Sequence, residues 1–244
     1  MNTRIHLCGA VGVVVGGEHR ERRLPGRQGV LLLAFLIANR RRPIERETLM
    51  EVLWPRGRPP AAGAALRALL SKLRTVLGPA AVAGRERVRL HLEDAWIDVE
   101  AAEEALHRAE GAAASGDWGE VWGPARVAAV IADRGFLIGH DHPWVDERRR
   151  ELDRILERAE RCIVGCGLAL GGRELAPAER AARRLAERRP LDESAVGLQM
   201  HVHAASGDPA AALVAFEGFR LRLRDELGTA PGPELRRLHR RLLA

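Results

Sequence analysis

Tyrosine is missing from this chain, and of its 39 basic residues only Lys72 is a lysine. Long apolar runs are missing too. The longest, Val30 to Ala38, is about half the ~20 residues that a membrane span requires. The N-terminus MNTRIHLCGA lacks the uninterrupted apolar stretch of a secretory signal, so none is expected. Cysteine is scarce and odd in number. Cys8, Cys162 and Cys166 have no framework spacing, which implies a reducing, cytoplasmic location.

The signatures of catalysis are also lacking. There is no P-loop, no Gly-x-Ser-x-Gly and no locally supported Ser/His/Asp arrangement. Gly165-x-Gly167 lies in a helical run and follows no strand, so it is not a dinucleotide loop. These absences predict a protein that is not an enzyme and carries no cofactor. A metal reading would use Cys162 and Cys166, four apart on a helix, with His201, His203, His140 or His142. The cysteines sit in an apolar run and behave as small core residues, and His201 and His203 point to different faces of one helix. No metal site is therefore expected.

What is present is cationic charge, unevenly placed. Residues 1–92 hold 17 Lys+Arg against 6 Asp+Glu, whereas residues 93–244 hold 22 against 27. A basic N-terminal third joined to a mildly acidic remainder suggests a polyanion-binding module attached to something else. A membrane surface is excluded as the partner, because that requires a basic amphipathic helix with exposed bulky apolar residues. At 244 residues, two domains is the natural expectation.

Arg4–Leu7 and Ala10–Val15 read as strands, with Gly16-Gly17 as a hairpin turn and Arg20–Leu24 as the returning strand. Arg27 to Asn39 is helical and apolar nearly all round, which places it centrally in a core. The basic loop Arg40-Arg41-Arg42-Pro43 leads to a second helix that starts at Glu45-Arg46-Glu47 and ends at Trp54-Pro55. In the third helix, Ala61 to Gly78, Leu66, Leu70, Leu73 and Leu77 make one buried stripe. Its opposite face carries Ala64, Ala68, Ser71 and Thr75, flanked by Arg67, Arg74 and Lys72. Two strand-like runs, Ala81–Ala83 and Arg87–Leu92, join across Gly84-Arg85-Glu86, so that Arg85, Arg87 and Arg89 alternate along one side. Ile97-Asp98-Val99 is expected to rejoin the sheet. In this order the third helix is the recognition element of a helix-turn-helix and the hairpin is a wing.

From Glu100 onward the chain reads as helix, with separate helices expected over Ala178–Arg188, Glu193–Ala205, Pro209–Leu227 and Pro233–Leu243. Breaks at Gly171-Gly172 and Ser206-Gly207 fall about 35 residues apart, near the ~34-residue period of tetratricopeptide-type helix pairs. The aromatic residues Trp118, Trp122, Phe136 and Trp144 are read as core of these helices. The expected fold class is an α+β N-terminal winged helix (1–99) followed by an all-α tetratricopeptide-like helical domain (100–244).

PIERETLMEVLWP (43–55) followed by LRALLSKLRTVLG (66–78) resembles the DNA-binding half of SARP-type (antibiotic regulatory protein) transcriptional activators, with an OmpR/PhoB-like winged helix. PWVDERRREL (143–152), the 188–217 run and LRDELGTAPGPELRRLHRRLL (223–243) resemble their bacterial transcriptional activator domain. The match covers nearly the whole chain in order. The chain stops directly after it, so the ATPase and repeat domains of larger family members are not expected. The resemblance implies a cytoplasmic activator that binds repeated elements of double-stranded promoter DNA, contacts RNA polymerase and forms a homodimer. This chain carries Ala65 and Ala68 where the family usually has polar or basic side chains, and Arg87-Val88 where the wing usually has Gly-Tyr.

The candidate DNA-binding residues are Arg46, Ala64, Arg67, Ala68, Ser71, Lys72, Arg74, Thr75, Arg85, Arg87 and Arg89. Arg67 is placed to reach a guanine edge, a contact worth ~1–3 kcal/mol of discrimination, and Lys72 and Arg74 to hold phosphates. The competing expectation, from a different class, is a helical protein-interaction adaptor whose N-terminal part docks a protein in place of DNA.

Overall fold

The structure is a computed structural model and describes residues 3–92 and 94–243. Two compact units emerge from the packing. One comprises Met1–Ala101 with Arg134–Leu152, the other Ala102–Asp133 with Asp153–Ala244.

In the first unit, β1 (Thr3–His6) runs antiparallel to β2 (Gly12–Val15), and β2 to the short β3 (Glu18–His19). The returning strand expected over Arg20–Leu24 is therefore Glu18–His19, and within the expected range Glu21–Arg23 form a single 3-10 turn instead. Just before the turn, the Arg20 guanidinium donates to the Val76 carbonyl at 3.0 Å. The other edge of β1 pairs in parallel with β7 (Ala95–Ile97), Thr3 opposite Ala95. A parallel pair needs a long crossover, and all three helices of the unit's N-terminal part lie within it.

Those helices are α1 (Gly26–Ala38), α2 (Arg46–Leu53) and α3 (Ala62–Leu77). Leu31 to Ile37 are buried without interruption, as a helix apolar all round must be. Pro43 leads into an extended pair, β4 (Ile44–Glu45), which joins β6 (Arg87–Leu90) and β5 (Val82–Ala83) in a second small sheet of order β4-β6-β5.

Asp98 was expected in a strand; it opens α4 (Asp98–Ala114). Its buried carboxylate accepts from the amides of Leu7, Cys8 and Val99, each at 2.8 Å. It thereby satisfies both the exit of β1 and the unpaired donors of a helix start. Burial pushes this carboxyl above its ordinary range, against the pull of those three amides.

Arg134–Leu152 adds to the same unit. Leu137 donates to Leu7 O at 2.9 Å and Gly9 to Gly135 O at 2.8 Å, beside a Cys8–Phe136 bridge. Trp144 meets Phe35 and Phe136 edge-on, at 5.2 and 5.8 Å. Arg149 ties the segment down through the carbonyls of Phe136, Leu137 and His140. Phe136 and Trp144 therefore pack in the first unit and not among the later helices.

The second unit is helical. It takes the rest of α4, α5 (Trp118–Ala132), the rest of α6 (Pro143–Leu170), α7 (Leu175–Arg188), α8 (Glu193–Ala205), α9 (Pro209–Leu227) and α10 (Pro233–Leu243). Met200, Phe216, Phe219, Leu235 and Leu238 form a core between the last three. A Cβ at Gly167 would lie 2.4 Å from the Ala178 side chain, so this glycine exists for the close approach of α7 to α6.

The expected fold class, an α+β N-terminal winged helix followed by a tetratricopeptide-like domain, does not hold. Helix makes up 67% of the described residues, and the strands among them, of two to four residues, are confined to two small sheets. Strands so short bury little on their own, and the leucine-rich helices carry the core of the first unit as well. That unit is also discontinuous in sequence, and the helices after Gly171 give no clear tetratricopeptide assignment.

Candidate nucleic-acid interface

The buried stripe of α3 is Leu66, Leu70, Leu73 and Leu77, with Leu69 and Val76 widening it. Four leucines at this spacing leave the other side of the helix to solvent. Ala64, Arg67, Ala68, Ser71, Lys72 and Thr75 are all exposed there, and Arg74 is half-buried. The Thr75 hydroxyl donates back to Ser71 O at 3.2 Å, within the helix. Arg67 and Lys72 have no ion-pair or hydrogen-bond partner among the described residues.

Arg74 is differently employed. Its Nε donates to Val82 O at 2.8 Å and so braces β5 against the last turns of α3. Across the hairpin, β6 alternates exposed Arg87, buried Val88, exposed Arg89 and buried Leu90. Arg85 lies exposed in the turn. Arg87 faces Glu45 in the paired register of β4 and forms an ion pair with it, the cross-strand contact of an antiparallel ladder. Arg46 donates from its amide to Glu86 O and from its guanidinium to Arg85 O, both at 3.1 Å, which fixes the start of α2 to the turn.

The structure thus brings Arg46, Arg85 and Arg87 together around one turn, with Arg74 holding that hairpin to α3. Arg67, Lys72, Arg85 and Arg89 keep exposed guanidinium or ammonium heads without an acidic partner among the described residues. In the basic loop, Arg40 is committed: it pairs with Glu100 at 2.6 Å and donates to Leu92 O. Chemically the surface offers fixed cations around small side chains, a form that lets a polyanion approach closely. Sequence reasoning missed Glu45 as the neutralising partner of Arg87. The strand spacing around Pro43 was the signal available, but the pairing spans 42 residues.

Elsewhere, burial pushes the Cys162 thiol up to about 11 and raises Cys8 and Cys166 as well. None of these thiols is activated as a nucleophile. Among the described residues no group of three or more His, Cys, Asp or Glu is placed to hold a metal ion, and no helix is long and apolar enough to cross a membrane.

Residues 97–243 match the Bacterial transcriptional activator domain (BTAD). Regulatory protein AfsR of Streptomyces coelicolor is 31% identical over 215 residues, which cover 87% of this chain and 21% of AfsR. Transcriptional regulatory protein EmbR of Mycobacterium tuberculosis is 26% identical over 251 residues, covering 97% of this chain and 62% of EmbR. The solved structure of M. tuberculosis EmbR in complex with a low-affinity phosphopeptide superposes with a TM-score of 0.83 at 23% identity, over 99% of this chain and 65% of that one. That likeness speaks to the fold alone. The chain spans less than two thirds of the length of these relatives. These matches support the resemblance to SARP-type regulators, and the chain belongs to the bacterial transcriptional activator domain family.

Proposed function

We propose that this chain is a DNA-binding transcriptional regulator that acts as an activator at repeated promoter elements and contacts RNA polymerase, with no catalytic role of its own. The observation that carries the reading is the set of exposed, unpaired cations on α3 and the β5–β6 hairpin: Arg67, Lys72, Arg85 and Arg89. Ala64 and Ala68 let α3 lie deep in a major groove, where Arg67 supplies the fork geometry that fits a guanine edge. Lys72, Arg85 and Arg89 hold phosphates and set the register. Arg46, Arg74 and Arg87 serve chiefly to position the hairpin. The relatives named as regulatory proteins point to the same role.

Binding-site selection on random duplex DNA, followed by salt titration of the selected site, tests this. A recurrent motif is expected, with a log–log salt slope of about 0.9 for each phosphate neutralised. Lys72→Ala should weaken all duplexes alike and lower that slope by about one, whereas Arg67→Ala should cost ~1–3 kcal/mol on the selected site and relax its sequence preference. If no duplex binds at low salt, or if Arg67→Ala with Arg85→Ala leaves binding untouched, the protein-adaptor role replaces this one.

A further inference from the structure

The second unit holds a cleft of about 370 Å³ between α5, α6 and α7. Its apolar lining comes from Trp122 and Val130 on α5, Leu156 and Ile163 on α6, and Pro177 on α7. Its polar lining is dominated by guanidinium groups: Arg126, Arg180 and Arg184.

At its base lies Glu160, whose side chain is fully buried. Arg184 Nε donates to one carboxylate oxygen at 2.6 Å, and Arg188 donates to the other. A carboxylate taken wholly out of water is costly, and pairs of this kind rarely add stability over an apolar replacement. What Glu160 does here is to hold two α7 guanidiniums, one helical turn apart, against α6. Arg126 lies over the Trp122 ring, 5.5 Å from its centre. Neither Arg126 nor Arg180 has an ion-pair partner among the described residues. The carboxylates lining the cleft are Asp133 and the already neutralised Glu160, so with Arg188 counted the site is cationic by two.

We propose that this cleft binds a small organic anion with an apolar body, of the aromatic carboxylate class. Arg126 and Arg180 offer planar forks that match a carboxylate bidentately. Trp122 and the aliphatic floor take the ring. The volume lies near the lower limit for ligand sites, which suits one or two fused rings. A neutral ligand of the same shape leaves the two guanidiniums without a counter-charge. The site shares no residue with α3 or the hairpin and stands whether or not these bind DNA.

The test is titration of the full chain with 1-naphthoate and with the neutral 1-naphthalenemethanol, by calorimetry and tryptophan fluorescence. We expect saturable binding of the acid at one site, at least about tenfold tighter than the alcohol. Arg126→Ala and Arg180→Ala should each weaken the acid about tenfold with unchanged thermal melts. Trp122→Phe should remove most of the fluorescence change. Equal affinity for acid and alcohol, no saturation below about 5 mM, or arginine variants that bind like the parent would each overturn the proposal. So would displacement of naphthoate by duplex DNA, which would make the cleft a nucleic-acid surface. The comparison of acid with alcohol needs no variant, so the proposal stays testable even if a substitution harms the fold.

Discussion

At Gly84 the hairpin turn leaves no room for a side chain. Its φ is +95°, and a Cβ there would lie 1.8 Å from the Arg87 carbonyl oxygen, a backbone atom that cannot rotate away. Gly84→Ala should therefore shift the turn that carries Arg85 and loosen the Glu45–Arg87 register. The expected cost is ~1–3 kcal/mol of stability, with a drop in duplex affinity larger than any other single change on the hairpin. Thermal melts and anisotropy titrations at fixed salt check it, and an affinity equal to the parent's would show that the turn makes no contribution to binding. At this scale the sequence was partly legible. The leucine spacing of α3 told which side chains face outward, and Arg67, Ser71 and Lys72 do. It did not tell which cations are spent internally. Arg74 reaches a carbonyl on β5 and Arg87 a carboxylate on β4, and neither partner lies on the residue's own element, where periodicity operates.

Helices were legible where polar chemistry punctuates them. The ranges Glu193–Ala205, Pro209–Leu227 and Pro233–Leu243 were read at their observed bounds, because Asp192, Asp208-Pro209 and Pro233 start them. The returning strand expected over Arg20–Leu24 is cut short: β3 is only Glu18–His19, and a 3-10 turn follows Arg20, whose guanidinium donates to the main-chain carbonyl of Val76, 56 residues away. The α8 cap also yields a pH prediction. Burial by itself pushes the Asp192 carboxyl up, but donors on Ser194 and Ala195 and the Arg161 guanidinium at 2.9 Å outweigh it and hold it below the usual carboxylate range. A depressed carboxylate contributes stability that is present above the unfolded value of 3.8 and lost as pH falls through the folded one. Asp192→Asn keeps an acceptor for the Ser194 amide and removes the charge. It should leave melting near neutrality lowered only slightly and flatten the acid-side fall. Asp192→Ala should cost about 1 kcal/mol at neutral pH as well. Melting temperatures from about pH 3 to 7 separate the two, and identical profiles for parent and Asp192→Asn would show that the charge plays no part.

The molecule's organisation was the least legible level, because its first unit is assembled from two stretches of chain. Charge composition marks residues 1–92 as a basic module, yet it is silent on the uncharged contacts that complete that unit. Leu137 extends the hydrogen bonding of Leu7, His142 Nε2 lies 2.6 Å from Val52 O, and Trp144 covers Phe35. No local period announces such docking. The physical consequence is that a fragment of residues 1–101 lacks the cover of its own central helix. Phe35 and the exit of β1 would be left to water, at a cost of the order of a large-to-small change at an aromatic core position, about 3 kcal/mol, before the lost hydrogen bonds are counted. We expect the fragment to lack the cooperative thermal transition of the full chain. In the full chain, Trp144→Ala should lower the stability of the first unit by about 3 kcal/mol and, at temperatures below its melt, leave duplex affinity within about twofold of the parent. Calorimetry of the fragment alongside the variant distinguishes the alternatives. A fragment that melts as cooperatively as the parent would mean that residues 134–152 merely rest on a module stable without them. Loss of DNA binding by folded Trp144→Ala would mean that the segment shapes the binding surface and does more than support it.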